Sequence, residues 1–101
     1  MYHYLTLSNL VKDVIILISD KLSKSEINVL QVLQKSNIIN ESSAVKISTL
    51  AEKTNLSYYT VRNIIKSLYI AGLCSKGRKD GNGETYYLTN LGQETQKNIP
   101  H

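Results

Sequence analysis

NLSYYTVRNIIKSLYIAGL, residues 55–73, is the stretch on which the fold turns. Ser57 supplies a hydroxyl that can accept a free backbone N–H at a helix start, and Gly72 is the residue type that most readily takes the left-handed step after a helix end. A helix running to Ala71 is the expectation. With Val61 at the centre of one face, Ile64, Ile65, Leu68 and Gly72 fall within about 60° of it at ~100° per residue. That stripe packs inward. The far side carries Tyr59, Thr60, Arg62, Asn63, Lys66 and Ser67, and Ile70 lies about 180° from Val61. Polar reach and one stray apolar residue on the same outer face call for an explanation.

Upstream, STLAEKTN predicts a helix of about two turns, with Ser48 or Thr49 at its N-cap and Glu52 three residues after Thr49 as in a capping box. Asn55 and Leu56 leave only a tight turn before Ser57, and two helices so joined form a helix-turn-helix. Downstream, Leu73–Lys76 and Glu84–Leu88 are strand-like segments around GRKDGNG, whose Asp80-Gly81 and Asn82-Gly83 pairs signal chain reversal. Thr89 then caps a short last helix, NLGQETQK.

Toward the N-terminus, SKSE at 23–26 is a capping box opening a helix through about Lys35, with Ile27, Val29, Leu30, Val32 and Leu33 inside. NIINESS is a polar loop, and AVKI at 44–47 is a short strand. Residues 1–7 read as an extended or irregular lead-in that Ser8 can end by capping a helix. In the following NLVKDVIILISDKL, the apolar residues other than Ile16 spread over about 160° of the helix surface, more than one neighbour needs. The reading is of one domain, 1–101, with an N-terminal dimerisation segment at 1–22, a helix-turn-helix at 47–73 and a hairpin at 73–88.

The chain has 101 residues, 42% of them hydrophobic, with seven tyrosines and neither phenylalanine nor tryptophan. Its core is therefore aliphatic, and its small size favours association with a second copy. The net charge of +4 is unevenly placed. Residues 1–52 hold five basic and five acidic side chains, whereas 53–79 hold six basic residues, Lys53, Arg62, Lys66, Lys76, Arg78 and Lys79, and no acid. A polar helix face with two cations is what any solvated helix shows; cations on the adjoining hairpin turn the reading toward double-stranded DNA.

A helix of this kind enters the major groove with its N-terminal residues at base edges. Tyr58, Tyr59, Arg62 and Asn63 are placed for that; Arg62 can pair with guanine and Asn63 with adenine. Lys66 and the hydroxyls of Ser57, Tyr58 and Thr60 suit phosphates, and Lys76, Arg78 and Lys79 suit flanking backbone or a minor groove. Ile70, with Tyr69 beside the core stripe, is expected at a homodimer interface together with Val14, Ile15 and Ile18 of the N-terminal helix.

No Ser/His/Asp grouping, paired-carboxylate motif, phosphate-binding glycine loop or Cys/His cluster is present, so the chain reads as a binder and not an enzyme, with no cofactor and no metal. His3 and His101 stand at opposite ends as solvated residues. Cys74, the single cysteine, excludes an internal disulfide framework and fits the small buried hydrophobe better than a redox sensor. The apolar run Val14–Ile18 is five residues long, too short for a membrane span or a secretory signal, which points to a cytoplasmic, DNA-associated protein.

The order helix, helix, short strand, helix, turn, helix, hairpin, helix resembles the winged helix-turn-helix over roughly residues 23–92, a mainly α (α+β) fold with a basic β-hairpin wing. TLAEKTNLS and YYLTNLG are similar to MarR-like repressors, which usually have longer terminal dimerising helices. ArsR-like sensors match in size but not in metal ligands. YHYLTLSNL, SYYTVRNIIKSLYIAGL and YYLTNLG together resemble TubR, the centromere-binding adaptor family of tubulin-like plasmid and phage partition systems. That resemblance implies a homodimer on clustered DNA repeats, recruitment of the filament-forming GTPase TubZ and repression of its own operon. By position it implies DNA contact at Tyr58, Tyr59, Thr60, Arg62, Lys66, Lys76, Arg78 and Lys79, and dimer contact at Tyr69 and Ile70. The hairpin departs from the pattern in being glycine-rich and in carrying Asp80. The alternative is a MarR/ArsR-like repressor released by a ligand or by oxidation.

Overall fold

The computed structural model describes Asp13, Leu17 and residues 21–99. Within them the chain forms α1 (Lys24–Lys35), a 3-10 turn (Glu41–Ser43), β1 (Val45–Lys46), α2 (Ile47–Thr54), α3 (Tyr58–Ile70), β2 (Cys74–Lys76), β3 (Thr85–Leu88) and α4 (Asn90–Lys97). The expected dimer contacts at Val14, Ile15 and Ile18 lie outside the described residues.

Local capping chemistry explains most of the boundaries. At α1 both halves of the capping box form: the Ser23 hydroxyl accepts from the Glu26 N–H, and the Glu26 carboxylate accepts from the Ser23 N–H, each at 3.2 Å. α1 and α3 end alike. After α1, Asn37 takes φ 57° while the Ile38 N–H reaches the Leu33 carbonyl at 2.9 Å. After α3, Gly72 takes φ 81° while the Leu73 N–H reaches the Leu68 carbonyl at 2.8 Å. Each left-handed step turns the next apolar residue back onto the helix that has just ended. Ile38 and Leu73 are thereby buried, so NIINESS is a loop that contributes to the core. Gly72 is exposed at that step and does not extend the packed stripe of α3.

α2 departs from the sequence expectation. Its N-cap is Lys46, with no side-chain capping bond, so Ser48 and Thr49 lie inside the first turn. The cause is the sheet: Val45 pairs with Tyr86 and Lys46 with Thr85, and the helix starts at the next residue. Asn55, at φ 62°, reverses the chain toward α3, a conformation asparagine tolerates better than most residues.

The three strands are antiparallel in the order β1-β3-β2, with Cys74 opposite Leu88 and Lys76 opposite Tyr86. Val29, Leu30, Leu33, Leu50, Val61, Ile65, Leu68, Leu73 and Leu88 form the buried centre, with Ile99 closing it from beyond α4. The YYLTNLG segment joins wing to core. Thr89 donates to the Gly72 carbonyl at 2.6 Å and accepts from the Gly92 N–H at 3.1 Å. A Cβ at Gly92 would run into the Leu73 carbonyl and a Leu88 methyl.

Candidate nucleic-acid interface

α3 is pinned by its apolar side. Val61, Ile64, Ile65 and Leu68 are buried, as the periodicity predicts, and the remaining positions of the helix are exposed. At its start the Ser57 hydroxyl accepts from the Thr60 N–H at 3.2 Å and donates to the Thr60 hydroxyl at 2.8 Å, so Ser57 is engaged in the cap. Tyr58 and Tyr59 follow with rings edge to face, centroids 5.8 Å apart, and Tyr59 is 71% exposed.

Part of the exposed face of α3 borders a groove. Tyr58, Arg62 and Lys66, spaced four apart, stand in a row and form one wall of an open groove of about 360 Å³. Lys46, Ile47 and Ser48 from β1 and α2, Tyr86 from β3, and Asn82, Gly83 and Glu84 from the wing complete it. Tyr59, Asn63 and Ile70 do not line this groove; Ile70 is 84% exposed.

The wing is a hairpin closed by mutual bonds between Asp80 and Gly83, 2.9 and 3.1 Å, around Gly81 and Asn82. Gly81 has φ 65° at the first central position, where a two-residue reversal commonly needs glycine. Gly77 lies where the wing meets the 3-10 turn, and a Cβ there would strike Ala44.

The three wing cations have different surroundings. The Lys76 ammonium sits 5.4 Å from the centre of the Tyr69 ring, at a second depression of about 370 Å³ formed with Lys66, Ile70 and Tyr86. Arg78 lines a different hollow, with Glu41, Ser42, Ala44, Asp80 and Thr85. Lys79 lies 3.9 Å from the Glu84 carboxylate, and Asp80 lies 3.7 Å from the Lys46 ammonium. Along the sequence the block 53–79 has no acid, but the hairpin folds Asp80 and Glu84 back beside basic residues.

Lys46, Glu84 and Tyr86 are groove residues that the sequence reading missed. Lys46 is the one charged residue of AVKI, a weak signal, and only the β1–β3 pairing places it on a groove shared with α3. Cys74 is 2% exposed, and burial pushes its thiol up to about 12. Among the described residues no group of three or more His, Cys, Asp or Glu could hold a metal ion, and no helix is long and apolar enough to cross a membrane.

Solved structures with the same arrangement include TubR from Bacillus megaterium pBM400, with TM-score 0.75 and 21% identity over 85% of this chain and 94% of that one. The fold is a TubR-like winged helix. The DNA-binding TubR fragment from Clostridium botulinum is similar at TM-score 0.65 and 29% identity, covering 75% of this chain and 94% of that one. MepR, a transcription regulator of the Staphylococcus aureus multidrug efflux pump MepA, is similar at TM-score 0.67 and 15% identity, covering 95% of this chain and 70% of that one. No protein-family model matches the chain, and no curated protein matches it. In the winged helix, α2 and α3 are the helix-turn-helix and β2–β3 the wing.

Proposed function

We propose that this winged helix is a sequence-specific double-stranded DNA-binding protein, not an enzyme, that works as a homodimer within the single domain 1–101. The observation that carries the reading is the exposed row Tyr58, Arg62 and Lys66 on the second helix of the helix-turn-helix, facing the wing across an open groove. With α3 in a major groove, Tyr59 and Asn63 on its outer edge meet base edges, and Arg62 and Lys66 can reach either bases or the adjoining backbone. Ser57, Thr60, Lys76, Arg78 and Lys79 supply flanking contacts. Tyr69 and Ile70, with Val14, Ile15 and Ile18, form the dimer contact.

Likeness to two TubR structures supports a partition role: binding across repeated sites, recruiting a tubulin-like GTPase and repressing its own operon. Footprinting on the DNA upstream of its coding sequence is the test. Protection extending cooperatively across tandem repeats is expected, and one isolated palindrome with no extension would overturn the partition reading. Arg78→Ala with Lys79→Ala should weaken binding to all sequences and flatten the salt slope by about 0.9 for each phosphate no longer neutralised.

A second reading is a MarR-like repressor that a ligand releases, in keeping with the likeness to MepR, a transcription regulator. It requires a small molecule that releases DNA. The oxidation-driven version has little support, because a buried thiol pushed up to about 12 holds almost no thiolate at neutral pH.

A further inference from the structure

The groove between α3 and the wing has a polarity of its own. Its α3 wall presents Arg62 and Lys66, and its opposite side presents Lys46. The stem of Lys46 lies across the wing: a Cβ built on Gly83 would come within 3.0 Å of Lys46 Cε. Its ammonium is held by Asp80 at 3.7 Å, with the two side chains 40% and 75% exposed. An ion pair so open to water is weak and exchangeable. Among the described residues that line the groove Glu84 is the one acid, and its carboxylate faces the Lys79 ammonium at 3.9 Å.

An α-helix seated in a major groove, with a hairpin beside it reaching the neighbouring groove, must have one sugar-phosphate strand passing between them. The row from Tyr58 to Lys66 covers about 12 Å at 1.5 Å per residue, enough to follow that strand beyond a single phosphate. We infer that this groove is the channel for the DNA backbone, and that Lys46 is its third cation, exchanging Asp80 for a phosphate when DNA enters. The inference rests on the DNA-binding reading above. It assigns Arg62, Lys66 and Lys46 to positioning and leaves sequence discrimination to the outer edge of α3, at Tyr59 and Asn63.

The test uses the full chain, fluorescence anisotropy and two duplexes: one of random sequence, and one recovered by selection from a random library. Lys46→Gln removes the charge and keeps the side chain only as far as its δ position beside Gly83. Its expected result is a salt slope smaller by about 0.9, so the fall in affinity between 50 and 200 mM salt shrinks about 3.5-fold. The loss should be equal on both duplexes, and Lys46→Arg should restore the slope. Asn63→Ala is the contrast, lowering affinity for the selected duplex alone. A Lys46→Gln slope equal to wild type, with Arg62→Ala and Lys66→Ala slopes reduced, would overturn the assignment of Lys46 and leave the DNA reading standing. If neither duplex binds, or if Arg62→Ala and Lys66→Ala bind like the wild type, the DNA reading itself fails.

Discussion

Ile70→Lys separates the proposed dimer from the fold that carries it. Ile70 is the last residue of α3, 84% exposed and outside the buried core, so replacing it removes little packing from the protomer. Full burial of an isoleucine side chain contributes about 1.5–3 kcal/mol. In a two-fold interface the same residue is buried twice, giving about 3–5 kcal/mol once the already covered fraction is discounted. That corresponds to a dimer dissociation constant raised about 10²- to 10⁴-fold, before any cost of placing two lysines together. Light scattering or sedimentation over a dilution series measures it. Unfolding of the monomer, followed by urea, should stay within about 0.5 kcal/mol of wild type because the site is on the surface. A dimer of unchanged dissociation constant in Ile70→Lys refutes the placement of Ile70 at the dimer contact.

Gly92→Ala should destabilise the fold by about 1–3 kcal/mol, because the added methyl meets the Leu73 carbonyl and a Leu88 methyl; thermal melting should show a Tm lower by about 4–8 °C per kcal/mol, and an unchanged Tm contradicts that packing. Cys74 should resist a thiol reagent at pH 8 until the protein unfolds, so rapid labelling of the native state would refute its burial. Its folded pKa is raised from 9.0 to about 12, so the neutral thiol's contribution to stability is complete below pH 9 and is lost as pH rises toward 12. Against Cys74→Ala, the wild type should therefore lose stability more steeply over that window, by up to about 1.4 kcal/mol per pH unit.

Much of this was legible in the chain because its causes are local. Ser23 with Glu26, Ser57 with Thr60 and Thr89 with Gly92 are capping partners three residues apart, and the buried set Val61, Ile64, Ile65 and Leu68 follows from helical periodicity alone. Where longer-range pairing intervened, the local signal failed. Ser48 and Thr49 have the side chains of an N-cap, but the pairing of Lys46 with Thr85 starts the helix earlier. Asn37 followed by Ile38 carried the same chain-end chemistry as Gly72 followed by Leu73, and only the glycine made the second visible as a helix stop.

The sequence by itself determined the order of the helices and strands from residue 23 onward, the inward face of α3 and the concentration of basic charge between residues 53 and 79, since each depends on residues a few positions apart. Tertiary structure decided the charge environment of the site. Folding of the hairpin brings Glu84 beside Lys79, and the pairing of β1 with β3 sets Lys46 against Asp80 and across the groove from Arg62 and Lys66. Electrostatic interaction depends on distance in space, and strand register, not sequence separation, sets those distances.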